Sequence, residues 1–112
     1  MHDMDLLLEL QAWYASHCDG NWEHGYGVGL TTLDNPGWKL VIDLIGTELE
    51  DVPFTPVMQN LDSDKWMRCN VKDKQFVGSG GAMMLTNIVE HFLVWQSGVD
   101  SPPTGDSSQL MT

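Results

Sequence analysis

Residues 38–46 run Trp38-Lys39-Leu40-Val41-Ile42-Asp43-Leu44-Ile45-Gly46 (WKLVIDLIG). Trp38, Leu40, Ile42 and Leu44 fall on one side of an extended chain, and Lys39, Val41, Asp43 and Ile45 on the other. Alternation of this kind marks a strand with one face turned to a core. Just upstream, Asn35-Pro36-Gly37-Trp38 places proline second and glycine third, the pattern of a type II turn. Before the turn, YGVGLTTL (26–33) puts Tyr26, Val28 and Leu30 on one face and leaves the other bare at Gly27 and Gly29. A hairpin therefore leads into residues 38–46.

Working outward, WMRCNV (66–71) repeats the alternation, with Met67, Cys69 and Val71 inward, and KDK (72–74) turns the chain into QFVGSG (75–80) as a second hairpin. Between the hairpins, residues 47–65 hold an acidic patch (Glu48, Glu50, Asp51), two prolines and scattered apolar residues, which reads as a short extended segment with a loop. The period changes at both ends of the chain. Leu6, Leu10, Trp13 and His17 recur at helical spacing over residues 4–16, widened by Leu7 and Tyr14, with Asp3 or Asp5 available as a cap and Gly20 as the stop. Leu85, Ile88, Val89, Phe92 and Trp95 give a second helix over residues 83–96, with Gly98 placed to end it. The expectation is an α+β fold: an antiparallel sheet of four to five strands with an N-terminal and a C-terminal helix packed on one face. Residues 1–98 would form one globular domain and residues 99–112, rich in proline and serine, a disordered tail.

The chain has 112 residues, 42% of them apolar, enough for a modest core without a disulfide or metal staple. No apolar run is long enough to span a bilayer, and MDLLLEL carries two acids and follows no basic segment, so neither a membrane span nor a signal peptide is expected. A cytoplasmic location and reduced Cys18 and Cys69 follow as expectations. Sixteen acids against five bases give a net charge of −11, which argues against nucleic acid and anionic membranes and favours a basic partner. Acidity also serves solubility alone. All five bases lie between Lys39 and Lys74; four fall within KWMRCNVKDK, which marks the solvent face of a hairpin.

The residues with chemistry to offer crowd into CDGNWEHGYG (18–27). His17, Cys18, Asp19, Glu23 and His24 are metal-ligand types, but no pair has the spacing that converges on one ion, so no metal is expected. Cys18, His24 and Asp19 match the types of a nucleophile, base and orienting group without any strand-turn-helix elbow, and Asp19 with Glu23 matches a carboxylate pair equally loosely. GYGVG has glycines without a lysine, and VGSGGAMM reads as a turn and helix entry rather than a phosphate loop. The remaining functional reading is an interface, with Trp22 and Tyr26 as aromatic anchors among Asp19, Glu23, His24 and Asp34. For Trp13 and Trp38 burial in the core is the stronger reading. For Trp22 a structural brace, locking the loop onto the sheet by hydrogen bonds, competes with the anchor.

The leucine-rich helix ending in Trp13-Tyr14, the run CDGNWEH, the following Tyr26-Gly27-Val28 and then LDNPGW (33–38) resemble the opening of the immunity protein 53 family of bacterial polymorphic-toxin systems. WMRCNV, the phenylalanine-glycine hairpin and FLVW (92–95) extend the resemblance over roughly residues 5–96. It implies a non-enzymatic antitoxin that binds a cognate toxin domain in the cytoplasm, with no catalytic residues and no cofactor. The toxin would be basic, a nuclease among the possibilities, and the binding candidates are Asp19, Trp22, Glu23, His24, Tyr26 and Asp34. The alternative is a small enzyme or ligand-binding protein working through the Cys18–His24 loop.

Overall fold

The alternation that begins at Trp38 is realised as a strand as far as Asp43, second from one edge of a five-stranded sheet, and Leu44–Gly46 lie beyond it. The computed structural model describes residues 3–100 and the side chains of residues 6–98. Along the chain come helix α1 (Asp3–His17), the one-turn helix α2 (Trp22–Gly25), strands β1 (Val28–Leu33), β2 (Gly37–Asp43), β3 (Val57–Asn60), β4 (Trp66–Lys72) and β5 (Gln75–Gly80), and helix α3 (Leu85–Asp100). The strands lie in the order β1-β2-β5-β4-β3, every pair antiparallel. The fold is α+β, as the two periodicities require. The expected caps Asp3 and Asp5 have side chains outside the described residues; of the expected tail, residues 99–112, the first two end helix α3 and the rest lie outside the described residues.

One face of the sheet is covered. Leu40 and Ile42 from β2, Phe76 from β5 and Met67 and Cys69 from β4 are all buried there, with Leu44 just past β2. Helix α3 lies over them, and its Ile88, Val89, Phe92 and Leu93 complete the core. Gly78 and Gly80 explain how it comes so close. A Cβ at Gly78 would collide with Ile88, and one at Gly80 would strike the Trp66 carbonyl and press on Met84 and Ile88. Both belong to β5, the QFVGSG strand expected of the second hairpin, where their missing side chains make room for the helix and, at Gly80, for the neighbouring strand's carbonyl. Helix α1 packs chiefly on α3, with Trp13 edge-on to Phe92 at 5.0 Å and joined to the same core. Fully burying each such Phe or Ile contributes roughly 1.5–3 kcal/mol.

Four local expectations need correction. Leu7 does not widen the α1 stripe: it is 59% exposed. Residues 35–38 do not form a type II turn. Asp34, Asn35 and Pro36 make the bend, Gly37 is already in β2 opposite Leu33, and its φ is not positive. Glycine is needed at 37 for space, since a Cβ would strike the Gly80 carbonyl. Tyr26 precedes β1 instead of lying in it. Finally, α3 runs through Gly98 to Asp100; this glycine, whose Cβ position meets open space, is tolerated within the helix.

The β4–β5 hairpin closes through Asp73 and Lys74, both at positive φ (55° and 60°), the two-residue geometry that matches the twist of the strands. Lys74 accepts this unfavourable backbone while its ammonium reaches Glu50 and Asp51, at 3.2 Å each, and ties the hairpin to the turn after β2.

Candidate functional site

The polar run from Cys18 to Gly27 folds back on itself through backbone hydrogen bonds. Helix α1 stops at His17, and Gly20 takes a left-handed φ of 89° that a side chain would oppose. Asp19 Oδ1 then accepts the N–H groups of Asn21 and Trp22, both at 2.9 Å, satisfying donors that the start of α2 leaves free. Glu23 reaches back, its two oxygens accepting the N–H groups of Asp19 (2.9 Å) and Gly20 (2.8 Å). The logic is that of a reciprocal cap, with two carboxylates in place of a hydroxyl and a carboxylate. The N–H groups of Trp22 and then Asn21 hold Asp19 below its usual carboxylate range. Glu23 is lowered too, first by its own backbone N–H, with those of Asp19 and Gly20 assisting.

Trp22 fastens this loop to the sheet. It is buried, its Nε1 donates to the Ile45 carbonyl at 2.7 Å, and its ring sits against Gly46, whose φ of 80° lets the chain pass. Asp43 adds a second fastening at the entry to β1. One of its oxygens accepts from Gly27 N–H at 3.0 Å and the other from Gln75 at 2.7 Å. The brace reading of Trp22 is therefore the one its geometry expresses.

Around Trp22 lies a cluster of rings from Trp13, Tyr14, His17 and Tyr26. Glu48 reaches this cluster from the loop after β2. Its Oε2 accepts from Trp13 Nε1 at 3.0 Å, and its Oε1 lies 2.7 Å from His17 Nε2. Burial alone would raise Glu48; its own backbone N–H, Trp13 and His17 outweigh that and lower it. His17 is also bonded through Nδ1 to the Trp13 carbonyl at 2.9 Å, the hydrogen-bonded, partly buried state that its place on the α1 stripe suggested. Two surface grooves meet at His17 and Ser16. One, of ≈ 440 Å³, runs past Glu9, Trp13 and Glu48; the other, of ≈ 650 Å³, runs past Asp19, Trp22, His24 and Tyr26.

Five of the six expected binding residues are thus neighbours. Asp19 and Glu23 are engaged with backbone, Trp22 is buried, and His24 and Tyr26 are exposed beside the larger groove. Asp34 is not with them. It sits in the β1–β2 turn at the far end of a six-residue strand, roughly 20 Å away. Glu48 is the participant that the sequence reading left in an unassigned acidic patch. The one available signal was that Trp13 and His17, four apart on α1, present an indole N–H and an imidazole on the same face.

In the Cys18–His24 loop, Cys18 Sγ donates to the Tyr14 carbonyl at 3.4 Å, and among the described residues no hydrogen bond joins Cys18 to His24 or His24 to Asp19. Cys69 is buried, and burial pushes its thiol up to about 11. Among the described residues no three His, Cys, Asp or Glu side chains are grouped to hold a metal ion, and no helix is long and apolar enough to cross a membrane.

The model of the immunity protein 53 family matches residues 7–97, which takes in α1, the capped loop, all five strands and most of α3. The chain belongs to that family. No curated protein and no solved structure matches it. The family match spans both the Asp19–Glu23 loop and the Glu48 that closes over α1.

Proposed function

We propose that this chain neutralises a cognate bacterial toxin by binding the toxin domain in the cytoplasm and occluding its active site, without catalysis of its own. The observation that carries the reading is family membership across residues 7–97. The net charge of −11 supports a basic toxin, and a nuclease cleft is the natural match, since carboxylates can stand where phosphates would bind. The toxin-facing surface on this reading is the rim of the two grooves. Asp19 and Glu23 supply fixed negative charge, His24 and Tyr26 supply free groups, and Trp22 holds the loop that presents them. Asp34 would meet the toxin only if the interface reached along β1. A standard interface of about 1,600 Å² in total is large enough for that.

The test is protection. A bacterium expressing the toxin domain encoded beside this chain should stop growing, and co-expression of the chain should restore growth. Failure to protect, with both proteins folded and expressed, would overturn the proposal.

A further inference from the structure

The two edges of the sheet are not equivalent. Strand β3 is four residues long and enters after Pro53 and Pro56. Prolines and shortness are usual protections of an exposed edge. Strand β1, VGLTTL, has six residues with no proline and no charge, and among the described residues it has no neighbour on its outer side.

The phase of its ladder can be worked out. Asp43 N–H donates to the Gly27 carbonyl at 3.0 Å, and residue 27 lies opposite residue 43 in the β1–β2 register. Hydrogen-bonded pairs alternate in an antiparallel ladder, so Gly29, Thr31 and Leu33 face β2. Val28, Leu30 and Thr32 then turn their N–H and C=O groups outward, and none of them has another partner among the described residues. Leu30, half exposed at 48%, is the most exposed of the apolar side chains of β1.

We infer that β1 is a docking edge, and that the toxin partner adds an extended strand to it. The inference rests on the reading of the chain as a toxin-binding protein, and names how part of that binding is made. Main-chain hydrogen bonds to Val28, Leu30 and Thr32 supply affinity, and an apolar side chain over Leu30 supplies register. A second copy of this chain is a poor occupant. Each copy carries −11, and antiparallel self-pairing centred on Leu30 would set Asp34 opposite residue 26 of the other copy, toward its Asp19–Glu23 carboxylates. A strand with basic neighbours finds those same carboxylates at both ends of β1.

Amide hydrogen exchange, followed residue by residue on the unaltered chain with and without the toxin domain encoded beside it, tests this. In the free chain the amides of Val28, Leu30 and Thr32 exchange fast while those of Gly29, Thr31 and Leu33 are protected. In the complex the first three become protected, and Met58 and Asn60 on the β3 edge do not change. Leu30→Pro removes an outward N–H without touching the β1–β2 ladder, and should weaken binding about tenfold or more. A complex in which Val28, Leu30 and Thr32 still exchange fast overturns the inference and leaves the functional reading standing. Protection of the three in the free chain overturns it as well, because the edge is then already filled. No complex at all overturns the functional reading, and the inference with it.

Discussion

The two ends of β1 carry acids of the same kind in opposite circumstances. Before the strand, Asp19 and Glu23 spend their oxygens on four backbone N–H groups, and Trp22 between them is buried. After the strand, Asp34 is exposed in a turn and makes no hydrogen bond or ion pair among the described residues. In the sequence both ends looked like acidic surface. The difference teaches that carboxylates beside glycine and an aromatic residue can be the internal framework of a loop, while a carboxylate in a plain turn is simply charge.

The largest expected effect breaks the first end. Trp22→Ala removes a buried indole and its bond to Ile45, and should lower unfolding stability by about 3–5 kcal/mol in urea titrations. A loss within experimental error would show that the loop is not fastened by this residue. Next come Asp19→Ala and Glu23→Ala, each of which leaves orphaned N–H groups at the loop and the start of α2. Each should lower the melting temperature by less than Trp22→Ala and more than Asp34→Ala.

Acid titration sharpens the same contrast. Asp19, Glu23 and Glu48 are all lowered in the folded chain. Their contribution is therefore complete above the ordinary carboxylate range, near 4, and is lost as pH falls through it toward the depressed folded values. Stability should drop on acidification, and the drop should shrink in Asp19→Asn/Glu23→Gln. An unchanged acid profile in that variant would contradict the role given to the two carboxylates. The smallest effect on the fold belongs to the second end. Asp34→Lys should change stability by no more than about 0.5 kcal/mol. If the interface extends along β1, it should slow toxin association by a few-fold, with the deficit fading in high salt.

Much of the fold was legible because β2 and β4 alternate without interruption and α3 carries a broad apolar stripe. The glycines were harder to read. Gly37 reads as a turn residue, and Gly78 and Gly80 as strand and helix entry, yet all three serve close approach to a carbonyl or to α3, which depends on partners distant in sequence. The site was legible as a cluster and not as a mechanism. CDGNWEH stands out by composition, but that Trp22 turns inward is decided by Ile45 and Gly46, more than twenty residues on. Glu48 was hidden for the same reason, its partners Trp13 and His17 lying 35 and 31 residues away. The tryptophans show the pattern plainly. Trp13, Trp22, Trp38 and Trp95 each donate an indole N–H to an acceptor far along the chain, while Trp66 lies beside Arg68, 5.9 Å from its guanidinium, on the open face of the sheet.

On the proposed function this acidic domain binds a basic toxin, and calorimetry of the chain against the toxin domain encoded beside it, at low and at high salt, is the test. A tight complex whose affinity falls as salt rises is expected, because charge on the groove rim would meet opposite charge on the toxin. Absence of binding at either salt, with a correctly folded toxin domain, would rule the proposal out.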